Sequence, residues 1–449
     1  MKKVLFATTA LVALGLTPLV AQAQDQKPAE KPITLGLGGY FRAFAIAGSQ
    51  DDGDRNNSVI PGGPLRDHGI GRESEIWFKG ETSLDNGLRV GVQVELEGET
   101  SADQIDNSYI YFQHSQYGRL IVGEDFGSSV KTHKGVVGLN AGLGAISHFA
   151  SQGSFNGKLN TVGGNSLNTF MVLDGTSDKA IYDTPRIYGL RLSTSYTPDD
   201  KTSGIASVNS ATGESGLGLN SKQDGFTALS QVWTVSGDYV ETFGPVGVAF
   251  SAGYQRAYRE RAAGGRDANN DPDSWNLGAE VSYAGFRLGA AYKRINNNVI
   301  ATNAALIGAR GIRAESLNGH GGNNGAGFVE GDREDFIVGL DYTFGPWTVG
   351  ATYGFVNQHG IQTRTNNSSG NPAGSRDSTD TLDQWTVGVN YALGPGIALY
   401  AGYQGFDLAG LCNGRTPAGP GNAPGNPRSN SSCANNDGHL FIVGTQLNF

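Results

Sequence analysis

Charged side chains in this sequence fall at alternate positions, and that spacing limits the chemistry they can do. From Leu88 to Glu99, Arg89, Gln93, Glu95 and Glu97 alternate with Leu88, Val90, Val92, Val94 and Leu96. Leu35, Leu37 and Phe41 leave Arg42 on the opposite face, and Ile76 and Phe78 do the same for Glu75, Lys79 and Glu81, with Trp77 sharing their side. Rows of this kind suit a charged wall that sorts ions. Acid–base catalysis instead needs groups converging within hydrogen-bond reach. A second set of charges lies in residues 126–177. Glu124 and Asp125 stand at its start and Asp174 near its end, with no acidic residue between. Lys131, Lys134 and Lys158 occur there instead, with His133 and His148.

Other chemistry is hard to place. The sequence has no G-x-S-x-G, H-E-x-x-H, Walker loop or G-x-G-x-x-G. Its 7 His residues lie mostly in polar stretches, with no spacing that pairs one with a nucleophile. Asp52-x-Asp54-x-Asn56 and Asp267-x-Asn269-x-Asp271 have the spacing of alternate calcium ligands, but Pro61 and Gly63 spoil the first and Pro272 the second. Neither metal nor cofactor is expected. Cys412 and Cys433 share one Gly/Pro/Asn-rich segment, and in an exported chain they are expected to form a disulfide.

Export is written at the start of the chain. Met1-Lys2-Lys3, an uncharged run from Val4 to Val20 and Ala21-Gln22-Ala23 make a signal peptide over 1–23, cut before Gln24, with 24–449 as the mature domain. No later stretch approaches the roughly 20 apolar residues of a spanning helix. Removing Lys2 and Lys3 from the 33 basic residues leaves 31 against 42 acidic ones, a net charge near −11. No basic stripe remains for nucleic acid. With 68 Gly in 449 residues, about twice ordinary usage, and 17% charged residues, neither disorder nor a helical fold fits well.

The elements that must position the charges are strands, because the dominant period is two. The segment Gln384–Leu393 alternates like Leu88–Glu99. A protein core or lipid could cover the apolar face, and repetition separates the two. Four hairpins, about Gly244-Pro245, Ala284-Gly285, Gly345-Pro346 and Gly394-Pro395-Gly396, each carry a Tyr before the turn (Tyr239, Tyr283, Tyr342, Tyr391) and another beyond it (Tyr254, Tyr292, Tyr353, Tyr403). Aromatic rows at both ends of a strand mark two membrane interfaces. Tight turns alternate with polar segments at 199–228, 259–273, 298–333, 359–380 and 410–436, as in a transmembrane barrel. The pattern predicts sixteen strands, at about 33–48, 72–84, 88–99, 107–114, 118–125, 178–187, 189–198, 229–243, 246–258, 274–284, 286–297, 334–343, 347–358, 382–393, 397–409 and 438–449. In the bilayer only a closed sheet satisfies every backbone group, and 16–18 strands leave an aqueous channel.

The blocks NSYIYFQHSQYGRLIVGEDFG (Asn107–Gly127) and DKAIYDTPRIYGLRLSTSYTP (Asp178–Pro198) resemble the hairpins either side of the constriction loop in trimeric general-diffusion porins of Gram-negative outer membranes. The first strand, ITLGLGGYFRAF from Ile33, and the hairpin ETSLDNGLRVGVQVELEGE from Glu81 are similar too. The end at Phe449, after Phe441, Val443 and Leu447, resembles the family's assembly signal. The resemblance implies an all-β, 16-stranded antiparallel transmembrane barrel with residues 126–177 folded inward as a constriction loop. It also implies a homotrimer in contact with outer-membrane lipid and lipopolysaccharide. The basic group Arg42, Lys79 and Arg89 would face that loop. The family's loop is usually acidic, and this one is basic.

The function expected is passive diffusion of ions and small hydrophilic solutes through a water-filled pore. Arg42, Lys79, Arg89, Glu95, Glu97, Lys131, Lys134 and Asp174 are the expected lining of its narrow part. Gly142, Gly144, Leu139, Leu143 and Ile146 suggest a packed stretch with one short helical turn. The alternatives are a channel specific for sugars or organic acids, a barrel enzyme, and a plugged structural or adhesive barrel. The loop lysines favour anions and the acidic wall favours cations, so ion preference stays open at this point.

Overall fold

A computed structural model describes residues 33–50, 67–98, 105–136, 167–200, 229–259, 271–302, 327–366, 372–412 and 433–449. The expected signal peptide, the Asp52–Asn56 pattern, most of the Asp267–Asp271 pattern, the Leu139–Ile146 stretch, His148 and Lys158 lie outside them.

The strands are β1 (Thr34–Gln50), β2 (His68–Ser83), β3 (Arg89–Glu97), β4 (Ile105–His114), β5 (Gly118–Glu124), β6 (Asp178–Asp183), β7 (Leu190–Asp199) and β8 (Leu229–Phe243). They continue as β9 (Val246–Arg259), β10 (Asp273–Tyr283), β11 (Phe286–Thr302), β12 (Gly327–Phe344), β13 (Trp347–Asn366), β14 (Pro372–Gly394), β15 (Ile397–Cys412) and β16 (Cys433–Asn448). These sixteen close into one antiparallel barrel in which each pairs with its chain neighbours and β1 pairs with β16. One short helix, α1 (Ser128–Thr132), follows β5. Among the described residues no helix is long and apolar enough to cross a membrane.

Count and order match the period-two expectation, and β8 has the expected bounds. The differences have physical causes. β13 and β14 run to Asn366 and from Pro372, through polar sequence that reads as a loop. The apolar alternation stops where lipid stops, whereas the hydrogen-bonded ladder continues into water. β6 ends at Asp183, short of the expected 187, because Pro185 lacks the N–H that a ladder needs.

The outer face is apolar and open. Leu35, Phe78, Val92, Leu192, Val235, Leu277, Leu288 and Val443 are all exposed, which in water would be a fault and in lipid is a requirement. Near the turns, Phe286 stacks on Tyr342 at 4.2 Å between centroids and Trp347 meets Tyr391 at 4.5 Å. Toward the other rim Trp275 meets Tyr292 at 5.1 Å and Tyr403 meets Phe441 at 4.8 Å.

The seam between the first and last strands depends on the terminal residue. The Gly39 N–H donates to the Phe449 carbonyl (3.0 Å), and the Phe449 N–H donates to the Gly39 carbonyl (3.1 Å). A Cβ on Gly39 would stand 2.3 Å from the Glu75 carbonyl oxygen and 3.0 Å from the Phe449 ring. Gly39→Ala is therefore expected to cost about 1–3 kcal/mol, as overpacked sites do. A lower urea midpoint of tryptophan fluorescence would show it, and an unchanged midpoint would contradict this account of the seam.

Candidate functional site

After β5 the chain, in its described parts, turns inward. It lies on the inner wall in two described limbs, 125–136 and 167–177. The neck where they meet is clamped by Lys179, whose side chain is wholly buried, 3.9 Å from Asp174. Its ammonium donates to the carbonyls of Asp125, Gly175 (3.1 Å) and Ser177 (2.5 Å). Gly127 passes so close that a Cβ there would be 2.8 Å from Asp174 Oδ2.

The first limb begins with α1. Small residues make the helix fit: Ser128, Ser129 and Thr132 are buried. Ser129 donates to the Met171 carbonyl (3.0 Å), tying the limbs together, and the Ser128 N–H donates to Ser195 on β7 (3.2 Å). The chain then presses onto β9–β11. The Lys134 N–H donates to Ser251 (2.9 Å) and the Gly135 N–H to Glu280 (2.8 Å). Gly135 has φ +93, and a Cβ on Gly278 would stand 1.9 Å from the Lys134 carbonyl, so both positions require glycine.

The returning limb has apolar and ionic seats. Leu167 packs on Val356, Leu382 and Phe406, and Leu173 on Leu229, Val232 and Ala257. The Asn168 N–H donates to Asp335 (3.1 Å), which is buried against Arg333 (2.7 Å) and Lys293 (3.3 Å). The Leu173 N–H donates to Gln255 (3.0 Å), and Gln255 donates to Asp174 (2.8 Å), which also accepts from Thr197 (3.1 Å). Burial, partly offset by Lys179 and these hydrogen bonds, raises the Asp174 carboxyl above its ordinary range.

His133 joins both limbs to the wall. Nδ1 faces the Asn276 amide nitrogen (3.1 Å), a donor, so Nδ1 accepts and the proton sits on Nε2, which donates to Thr169 (2.9 Å). Protonating Nδ1 would set donor against donor. Burial, with Lys293 and Lys134 adding to it, lowers this imidazole to about 4.

Cations gather on the first limb. Lys131 pairs with Asp125 (2.6 Å). Lys134 (3.8 Å), Arg186 (2.6 Å) and Arg191 (2.7 Å) share the single buried carboxylate of Asp238 on β8. Arg191 also donates to the Lys131 carbonyl (2.9 Å).

The wall of β1–β3 has the other sign. Arg42 pairs with Glu73 (3.0 Å) and donates to Gln446 (2.9 Å). Arg89 meets Glu81 at 3.4 Å, and Lys79 lies exposed over the Trp77 ring at 5.6 Å. Tyr40 donates to Glu75 (2.9 Å), Glu95 accepts from Gln93 and from Asn107 (2.6 Å), and Glu97 approaches Glu75 and Asp106. So Arg42, Lys79 and Arg89 stand among Glu73, Glu75, Glu81, Glu95 and Glu97. The basic wall that the resemblance implies is acidic here.

The expected lining residues thus fall in two groups. Arg42, Lys79, Arg89, Glu95 and Glu97 share the β1–β3 wall, while Lys131 and Lys134 sit on the inward limb. Asp174 joins neither group: at 1% exposure it is an anchor behind the limb and not a group in open water. Arg186, Asp238, Arg333 and Asp335 are not among the site residues expected from the sequence. A usable signal was present in the apolar residues Val232, Val356, Leu382 and Phe406 at inward positions, which break the polar face wherever a limb rests. The helical turn expected near Leu139–Ile146 lies outside the described residues, and α1 stands before that stretch.

A family model described as Gram-negative porin matches residues 7–410. Among solved structures, OmpF of Salmonella typhi in complex with daunomycin aligns with TM-score 0.51 and 16% identity, covering 92% of this chain and 97% of that one. A porin refined at 1.8 Å aligns with TM-score 0.49 and 15% identity, covering 93% and 100%. The anion-selective porin of Comamonas acidovorans aligns with TM-score 0.47 and 14% identity, also covering 93% and 100%. At such identity the first likeness speaks to the fold alone. No curated protein sequence matches the chain.

The neutral His133 site carries a pH dependence. Between about pH 6.5 and 4 a released limb binds a proton that the docked imidazole refuses, so docking weakens as pH falls, by up to about 3 kcal/mol. Asp174 acts in the opposite sense, because its raised carboxyl takes up a proton while still docked. Amide exchange over 128–136, corrected for intrinsic rates, is expected to be faster at pH 5 than at pH 7 in the wild type. In His133→Gln this difference is lost. Equal exchange at both pH values in the wild type would contradict the assignment.

Proposed function

This chain belongs to the Gram-negative porin family, and on that premise we propose how its parts make the pore work. It is a multi-pass outer-membrane barrel that passes ions and small hydrophilic solutes by passive diffusion. Residues 126–177 serve as the constriction loop within the mature barrel of 24–449, after a signal peptide over 1–23. The observation that carries this is the inward course of the chain after β5, held along the inner wall at Asp125, Asp174, Asp238 and Asp335.

The mechanism is geometry and field, without covalent chemistry. Solutes keep their water and pass between the acidic β1–β3 wall and the lysines of the first limb. Lys131 and Lys134 give that side its sign, opposite to the usual acidic loop of the family. Arg42 and Arg89 are half-neutralised by their glutamates, so Glu75, Glu95 and Glu97 set the sign of the facing wall.

Three features complete the assembly. The family resemblance supports a homotrimer, embedded among lipids and lipopolysaccharide. Phe449, bonded into the β1–β16 seam, supports the reading of the chain's end as its assembly signal. The backbones of Cys412 and Cys433 are paired at the end of the β15–β16 ladder, which supports a disulfide closing the polar segment between them. Such a closure is worth about 3 kcal/mol. Thiol titration of the unfolded, unreduced protein is expected to find no free thiol, and two titratable thiols would refute the bond.

In planar bilayers the purified protein is expected to pass current in proportion to salt concentration, without saturation by neutral sugars. Saturable, sugar-blocked current would favour the substrate-specific alternative. Under a salt gradient, Lys131→Ala with Lys134→Ala is expected to shift the reversal potential toward cations. No shift would place both lysines away from the narrow part.

A further inference from the structure

We propose that Arg186, Arg191 and Lys134, gathered round Asp238, form an oxyanion subsite for solutes carrying a phosphate or carboxylate group. The proposal rests on the pore reading above and adds a solute class to it.

Charge is the first argument. Asp238 has no exposed side-chain surface, and both its oxygens are engaged. Oδ1 accepts from Arg191 Nε (2.7 Å) and Oδ2 from Arg186 Nη2 (2.6 Å), with Lys134 Nζ 3.8 Å from the same Oδ2. One negative charge faces three positive ones. An anchor for the loop needs only one cation to neutralise a buried carboxylate, so the other two are surplus to that role. Glu280, also met by this limb, accepts from the Gly135 N–H.

Geometry is the second. The remaining bonds hold the cations in place without neutralising them. Arg186 Nη1 donates to the Gly189 carbonyl (2.5 Å), and Arg191 Nη2 to the Lys131 carbonyl (2.9 Å). Among the described residues, Arg191 Nη1 and Arg186 Nε have no acceptor, and the ammonium of Lys134 has only the long contact. The three side chains keep 36%, 24% and 25% of their surface open, for Arg186, Arg191 and Lys134 respectively. Leu190 and Leu192 lie exposed on the outer face, so Arg191 points to the lumen. Two oriented guanidinium groups and an ammonium facing water match the oxygens of a phosphate or carboxylate.

Position is the third. Arg186 lies in the tight β6–β7 turn and Arg191 is the second residue of β7. Short turns belong to the periplasmic rim. Arg186 and Arg191 therefore stand toward the periplasmic side of the wall, and Lys134 reaches Asp238 from the first limb, so the subsite lies on the periplasmic side of the narrow part.

The test is phosphate block of chloride current through the purified protein in planar bilayers. Inorganic phosphate is expected to reduce the current at millimolar levels. Acetate should act at higher concentration, because it offers one charge on two oxygens where inorganic phosphate offers more than one charge on four. Lys134→Gln keeps the Ser251 contact, which uses the backbone, and is expected to raise the half-blocking phosphate concentration about five-fold, the scale of a partly exposed ion pair. Lys134→Arg should stay near wild type. Arg256→Gln, which removes an exposed cation 4.0 Å from Asp271, should leave the block unchanged. A wild type that conducts but ignores phosphate overturns the subsite and leaves the pore standing, as does a block identical in Lys134→Gln and Arg191→Gln. Absence of any conductance overturns the pore reading and the subsite with it.

Discussion

A carboxylate shut away from water must meet a cation or donors, because an uncompensated buried charge costs several kcal/mol. That constraint fixes the inside of this barrel. Asp174 and Asp335 sit behind the inward limbs at almost no exposure, and Asp238 sits beneath one of them. Each has at least one partner across the contact between a limb and the wall. Lys179 closes the neck, Asn168 caps Asp335, and Lys134 reaches Asp238. Removing the limb would open the apolar seats of Leu167 and Leu173 to the lumen and strip these carboxylates of some of their donors. The stretch is thus part of the wall's packing, and its lysines are held where passing solutes meet them.

The same pairing decides what charge is left for solutes. On the inward face of β1–β3 the carboxylates of Glu73, Glu75, Glu81, Glu95 and Glu97 outnumber the cations Arg42, Lys79 and Arg89. On the β7–β8 side one carboxylate serves three cations, and cations remain. Net charge over the whole chain is negative, yet the lumen divides into regions of opposite sign. Transport properties follow from this local surplus more than from the total.

Much of the barrel was legible in the sequence, because lipid enforces a period of two wherever it touches the sheet. Arg42, Glu75 and Arg89 point inward as parity requires, and Trp77 does so too, its indole N–H bonded to Glu75 (2.9 Å). Strand ends above the membrane were less legible, since a ladder in water needs no apolar partner, as the polar end of β13 shows. The inner attachments were least legible. Asp174 reads as a pore charge at the end of a loop and is a buried anchor. Lys131 reads as a lining charge of the loop, and in the structure it is paired with Asp125. Such outcomes depend on which wall the loop meets, and parity along one strand carries no information about contacts across the lumen. Glycines at inward positions hinted at it, for Gly253, Gly278 and Gly354 are where Met171, Lys134 and Leu167 press on the sheet.

The central claim is that the first limb stands in the conducting path. The most direct measurement is thiol labelling during bilayer recording, using Lys131→Cys in a background of Cys412→Ser and Cys433→Ser. A negatively charged methanethiosulfonate reagent should lower the current in equal steps, one for each pore in the assembly, and a reducing agent should restore it. Current that stays constant while mass spectrometry shows the cysteine fully labelled would contradict the claim.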